Sequence, residues 1–303
     1  MDAYDPGSVI GDVIVITLSN ARGQPQTLGW YEQGQGPLVV LMHGFPDTEA
    51  SFTELIPRLV SAGYRVLVPR MRGYETSTQN DQDAYYLLDL ADDLVTWLDQ
   101  LNEPAAHVIG HDFGALAAYV AAATYPQRIL TLTTLAIPHL KHLLRGLVRV
   151  PVQLQRSSYL VLMQLPSWLQ GFIAAGNYQF LEMLWRRWSP SWNFSHADLE
   201  KLKTCFAQEG VLHAATQYYR CLRNFHQARG RASWQALLTI PQGPTLMLTG
   251  SEDGCMDTRL YDVMIKPSEV NPKLTLHRLQ GCGHWLHRES PDEVARLWLS
   301  WVS

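Results

Sequence analysis

Two hydrophobic periods alternate along this chain, and each predicts its own kind of element. Val13 to Thr17 alternates weakly, as an edge strand does, and Thr27 to Glu32 predicts a second strand before the turn Gly34-Gln35-Gly36-Pro37. Leu38 to Met42 is apolar throughout, the pattern of a strand buried on both faces. From Ala50 to Ala62 the apolar residues Phe52, Leu55, Ile56, Leu59 and Val60 recur at helical spacing, and Gly63 predicts the stop. Tyr64 to Val68 reads as another buried strand. Asp81 to Leu101 reads as a long amphipathic helix with Leu87, Leu90, Leu94 and Leu98 on one face. A β-branched run, His107 to Ile109, precedes a helix-forming run, Ala115 to Ala123. Ile129 to Ile137 is the next strand. Strand character then vanishes until Thr245 to Thr249 and Lys273 to Leu279, and Pro291 to Val302 predicts a closing helix.

Strands alternating with helices predict an α/β fold, a mostly parallel sheet covered by helices on both faces. The helical, aromatic stretch 138–235 predicts an inserted cap between a first core part, 1–137, and a second, 236–303. It holds Tyr159, Trp168, Tyr178, Phe180, Trp185, Trp188, Trp192, Tyr218 and Tyr219. Most of these aromatics are expected to pack the cap's own core. Sheets of this kind carry their sites at the carboxyl ends of the strands. The loops at His43, Arg72, Asp112 and Pro138 are therefore expected to meet at one end.

Composition narrows the function classes. The 303 residues are 47% hydrophobic and 17% charged, enough for a large core. A net charge of −4 gives no reason to expect nucleic acid or an anionic membrane as partner. The acidic start Met1-Asp2-Ala3-Tyr4-Asp5-Pro6 lacks an apolar signal core, and no apolar run approaches the ~20 residues that span a bilayer. Cys205, Cys221, Cys255 and Cys282 form neither a C-x-x-C nor a metal-ligand spacing. They read as reduced thiols of a cytoplasmic protein, a monomer or homodimer. In that compartment the sequon Asn193-Phe194-Ser195 has no consequence.

The candidate chemistry centres on Gly110-His111-Asp112-Phe113-Gly114, where strand turns sharply into helix. Glycine two residues to either side leaves room for a strained turn that raises the central side chain above the sheet, at a helix N-terminus favouring an anion. This G-x-Nu-x-G elbow usually carries serine. A carboxylate there is ionised without a base, and it can open a strained ring or displace a leaving group at an sp3 carbon. The resulting ester needs a base and an oxyanion hole for its hydrolysis. Elbow enzymes order nucleophile, acid and base along the chain. Asp253, after the strand Thr245 to Thr249, is the candidate acid, with Glu252 and Asp257 as alternatives. His284, in Gly281-Cys282-Gly283-His284-Trp285, is the candidate base, with His287 as its competitor. Backbone N–H groups of Phe45 and Phe113 are candidates for the oxyanion hole.

These motifs resemble the α/β-hydrolases, and within them the epoxide hydrolases. His43-Gly44-Phe45-Pro46 is similar to that family's H-G-x-P, Gly110 to Ala115 resembles its elbow, and Arg72-Gly73-Tyr74 and Gly283-His284-Trp285 also match. The resemblance implies hydrolysis of an apolar epoxide by water to a vicinal diol through an Asp112 ester, with no cofactor and no metal. It also implies two cap tyrosines that hydrogen-bond the epoxide oxygen. Tyr159, before Gln164-Leu165-Pro166, and Tyr219, before Arg220, match those positions, with Tyr218 a possible substitute. His43, Pro46, Phe113 and Trp285 are expected around the substrate, with Leu162, Met163, Trp168 and Trp185 as pocket walls. The alternatives are a haloalkane or haloacid dehalogenase and a non-catalytic ligand-binding scaffold. Dehalogenases typically place Trp beside the nucleophile as a halide donor, whereas Phe113 has no side-chain donor.

Overall fold

The computed structural model describes residues 13–19, 25–75, 79, 85–165, 171–265 and 273–303, with backbone alone for 13–19 and 25–28. Its strands are β1 (Val13–Ser19), β2 (Pro25–Gln33), β3 (Leu38–Met42), β4 (Arg65–Pro69), β5 (Ala106–His111), β6 (Ile129–Leu135), β7 (Thr245–Gly250) and β8 (Leu274–Leu279). They form one eight-stranded sheet in the order β1-β2-β4-β3-β5-β6-β7-β8. The pairs β1–β2 and β2–β4 are antiparallel and all the others parallel. The α/β class read from the hydrophobic pattern is the class observed.

Side-chain alternation divides the sheet's apolar residues between two cores. Leu38, Val40 and Met42 of β3, Leu67 of β4 and Val108 of β5 face one core. Val39, Leu41, Val66, Val68 and Ile109 face the other. Continuous apolar strands are thus the signature of a sheet with no solvent face. The second core is closed by α1 (Ile56–Ser61) and α13 (Pro291–Val302). The first is closed by α2 (Leu87–Gln100) and α3 (Phe113–Thr124). Helix α3 is buried from Phe113 to Ala122, which accounts for its apolar residues on every side.

Between β6 and β7 the chain is helical. The insert comprises α4 (Leu143–Arg149), α5 (Val152–Arg156), α6 (Tyr159–Met163), α7 (Gly171–Trp188), α8 (His196–Ala207), α9 (Val211–Arg223) and α10 (Ala228–Leu237). Helix α7 breaks at Ala175–Tyr178, where Gly176, Asn177 and Tyr178 take positive φ. Two short helices, α11 (Leu260–Val263) and α12 (Leu286–Glu289), complete the second half.

One helix departs from expectation. The predicted run Ala50 to Ala62 is a 3-10 turn at Glu49–Phe52 followed by α1 from Ile56. Pro57 has no N–H for the carbonyl of Thr53, so a helix can begin around it but cannot pass through it. Residues 81–84 of the predicted helix Asp81 to Leu101 lie outside the described residues.

Close packing fixes the β5–α3 connection. A Cβ on Gly114 would fall 2.1 Å from the Met42 carbonyl oxygen, and one on Gly110 2.4 Å from that of Gly114. Both obstacles are backbone and cannot move aside. Gly114→Ala is therefore expected to cost about 3 kcal/mol or more in urea unfolding, whereas Gly243→Ala, with nothing within 4 Å of its Cβ, stays within about 0.5 kcal/mol of wild type.

Candidate active site

The turn between β5 and α3 holds Asp112 at φ 50° and ψ −116°, a conformation L-residues rarely take, and leaves it 4% exposed. Gly44 makes room for it: a Cβ there would meet the Asp112 Cβ at 2.4 Å. The Phe45 N–H donates to Asp112 Oδ1 at 2.9 Å. Phe113 opens α3, so its N–H has no intrahelical acceptor.

His284 stands across from this carboxylate. Its Nε2 lies 3.6 Å from Asp112 Oδ2, and its Nδ1 lies 3.0 Å from Asp253 Oδ2. Asp253 Oδ1 accepts the N–H groups of Cys255 at 2.7 Å and Met256 at 2.8 Å. The alternatives fall elsewhere. Glu252 pairs with Ser191, Asp257 with Arg259, and His287 with Ser51 Oγ at 2.6 Å. Burial works against the charged imidazolium, but Asp253 and Asp112 outweigh it and lift the His284 pKa to about 10. Burial likewise opposes the Asp112 carboxylate, yet the His284 imidazolium 3.6 Å away, with His111 and the Phe45 N–H, holds its pKa below the ordinary value. The pair rests as imidazolium and carboxylate.

Two phenols complete the group. The Tyr219 ring lies edge-on to Phe45 at 5.2 Å and to Phe113 at 4.7 Å, and its buried hydroxyl has no hydrogen-bond partner among the described residues. Tyr159 meets Tyr219 edge-on at 5.9 Å, and its hydroxyl lies 3.8 Å from Cys255 Sγ. Burial first, then neighbours including the Asp112 charge, push both phenols well above their ordinary pKa, so both carry O–H protons at neutral pH. Tyr218 is turned away, donating to the Arg72 carbonyl at 2.6 Å.

Several expected pocket residues do other work. His43 spends both ring nitrogens on backbone. Its Nδ1 lies 3.1 Å from the Gly44 carbonyl, and its Nε2 accepts the Met71 N–H at 3.3 Å. Burial lowers its pKa to about 4, as that neutral tautomer requires. The Pro46 carbonyl accepts the Trp185 indole N–H at 2.8 Å, which ties the insert to the core. Trp285 donates to Asp47 Oδ2 at 3.0 Å and stacks on Trp188 and Trp192. Leu162 and Met163 border a groove with Leu165, Phe172, Ile173, Thr216 and Arg220, which none of the reactive groups lines. Trp168 lies outside the described residues.

Sequence reasoning missed the junction at Trp188. Its carbonyl accepts from Gly254 N at 2.9 Å and from His284 N at 3.1 Å, joining the loops that carry Asp253 and His284. Its ring lies 5.2 Å from His284 and 4.9 Å from Tyr159. Ser189 Oγ accepts the Trp285 N–H and donates to Glu289, whose carboxylate holds the Gly283 N–H. No periodicity marks Trp188 off from the other aromatics of the insert. Only its backbone position distinguishes it.

Among the described residues, one ligand atom each from Asp47, His111 and His287 lies within 4.8 Å of the others, in a buried cluster. The Trp285 indole N–H holds Asp47, the His284 carbonyl faces His111 Nε2 and Ser51 Oγ faces His287 Nε2, while the Nδ1 atoms of both rings have no hydrogen-bond partner among the described residues.

Comparison with known proteins bears on this geometry. A sequence profile of the alpha/beta hydrolase fold matches residues 37–291. The chain is 31% identical over 270 residues to the AB hydrolase superfamily protein YfhM of Bacillus subtilis, covering 88% of this chain and 90% of that one. It is 30% identical over 276 residues to Epoxide hydrolase 4 of Mus musculus, covering 88% and 72%. Among solved structures it is similar to Epoxide Hydrolase A of Mycobacterium thermoresistibile, with a TM-score of 0.75, 25% identity, and 96% and 98% coverage.

The ion pair has a measurable consequence. Folding raises the His284 pKa from 6.5 to about 10, so the stability it contributes is complete below pH 6.5 and is lost as pH rises toward 10. Urea unfolding from pH 6 to 10 should show that decline in wild type and lack that component in His284→Gln.

Proposed function

The chain belongs to the α/β-hydrolase fold family, and on that premise we propose that this hydrolase opens apolar epoxides to vicinal diols through an ester on Asp112. The observation that carries the reading is a buried carboxylate at the elbow with two protonated phenols beside it, one with an unpartnered hydroxyl. Relatives named epoxide hydrolases support it.

In this mechanism Asp112 attacks a ring carbon and the carbon–oxygen bond breaks. Tyr159 and Tyr219 hydrogen-bond the leaving oxygen as charge grows on it, which matters because an alkoxide is a poor leaving group. The oxygen ends with a proton, replaced through the phenols from the His284 imidazolium. Ester formation removes the Asp112 charge, one of the effects that hold the His284 pKa high. The imidazole thereby becomes a base when one is needed. Oriented by Asp253, it takes a proton from water as the water attacks the ester carbonyl. Phe45 and Phe113 N–H groups receive the carbonyl oxygen's charge. Collapse expels the diol oxygen with the water's second proton and restores carboxylate and imidazolium. The helical insert acts as a cap that excludes bulk water.

Assays with a styrene-oxide-type epoxide test this sequence of steps. Asp112→Ala should abolish diol formation. His284→Gln should form the ester and stall, seen in intact-protein mass as an increase equal to one substrate. Tyr219→Phe and Tyr159→Phe should each lower kcat/KM by about 10- to 100-fold, the range for a hydrogen bond to a charged group, while Tyr218→Phe changes it less than about threefold. Full turnover by Asp112→Ala, or halide release from haloalkanes with no diol from epoxides, would overturn the assignment.

A further inference from the structure

We infer that the outward face of the first helices of the insert is a peripheral docking surface for anionic lipid bilayers. The first observation is a reversal of charge along the chain. Between Asp112 and Glu182 lie 69 residues with no Asp or Glu and five Lys or Arg, so the rest of a chain of net charge −4 carries −9. The net charge, which gave no reason to expect a membrane partner, averages over this reversal.

The second observation is that α4 has two apolar faces. Its inner side is filled: a Cβ on Gly146 would meet Met264 Cε at 2.7 Å and Leu260 Cδ2 at 3.2 Å. Its outer side presents Leu144 and Val148, one turn apart and each 79% exposed. Along the chain, Leu154 of α5 is 59% exposed and Val161 of α6 is 68% exposed. Single exposed apolar residues are ordinary, but strongly exposed aliphatic side chains on three successive helices are not.

The third observation concerns the cations beside those residues. Arg145 and Arg149 are also one turn apart on α4, and neither forms an ion pair among the described residues. Like charges at this spacing weaken an isolated helix by a few tenths of a kcal/mol. Arg156, by contrast, is engaged by Asp257 and the Asp253 carbonyl and takes no part. Aliphatic side chains flanked by unpaired cations suit the interface of an anionic bilayer, which accepts both.

A second copy of this chain is the poorer occupant. A twofold contact would set the patch against itself, bringing Arg145 and Arg149 toward their own copies with no carboxylate nearby to compensate. No helix among the described residues is long and apolar enough to cross a membrane, so the contact is one of surface docking. Val161 follows Tyr159 by two residues in α6, which puts the docked face one short helix from the site. Delivery of an apolar epoxide from the bilayer rests on the function proposed above. The docking itself does not.

Co-sedimentation with vesicles tests it without any substrate. The intact protein should bind vesicles of phosphatidylcholine mixed with phosphatidylglycerol, bind phosphatidylcholine alone far less, and be released as salt rises. Arg145→Gln with Arg149→Gln should weaken binding about 30-fold, about fivefold per lost cation. Leu144→Glu with Val148→Glu should eliminate it while circular dichroism stays native. Three results would overturn the inference. They are no binding to the anionic vesicles, equal binding by wild type and both variants, or a dimer in gel filtration that Leu144→Glu with Val148→Glu splits.

Discussion

The constraint on which this molecule depends is the lack of space around the β5–α3 turn. Asp112 sits at positive φ because the chain must turn from strand to helix within one residue. That turn is possible only where Gly44, Gly110 and Gly114 leave out three side chains. The strain has a chemical result. It places a carboxylate above the sheet, beside the Phe45 N–H and within 3.6 Å of an imidazole. Two apolar cores on opposite faces of the sheet hold the strand and helix that bear the strain.

The insert is more than a cover. Through the Trp188 carbonyl and the Ser189 hydroxyl it bonds the loops bearing Asp253 and His284, and through Trp185 it bonds the loop that bears Phe45. The same insert supplies Tyr159 and Tyr219. The Tyr159 ring lies against Trp188 and the Tyr219 ring against Phe45 and Phe113, so displacing the insert would disturb the imidazole as well as the tyrosines. Electrostatics adds a second coupling. The charge on Asp112 helps to sustain the proton on His284, and in the mechanism proposed above the loss of that charge in a covalent bond would lower the imidazole's affinity for it.

The core of this arrangement was legible in the sequence because local rules dictate it. Apolar strands and the spacing of glycines around Asp112 express backbone geometry close at hand, whereas Asp253 and His284 are picked out by the chain order that elbow enzymes share. Residues whose place depends on long-range packing were less legible. Trp185 reads as a pocket wall and Trp285 as a substrate neighbour through its motif, and tertiary contacts engage their indole nitrogens with Pro46 and Asp47. His43 belongs to the motif, but its ring braces backbone. The preference for Tyr219 over Tyr218 comes from the family resemblance, since adjacent identical residues give no physical ground for it. The difference turns on helix phase, which sends one hydroxyl to Arg72 and leaves the other unpartnered near Asp112. Pro57 offered a signal that helical periodicity overrode, since the missing N–H divides the expected helix.

The central claim is that carbon becomes bonded to Asp112 before water enters. A single turnover in 18O-enriched water, with enzyme in excess over epoxide, tests it most directly. The account predicts that the diol carries no 18O and that the label appears in the peptide containing Asp112, because water attacks the ester's carbonyl carbon. Label in the diol from the first turnover, with none in that peptide, would contradict it.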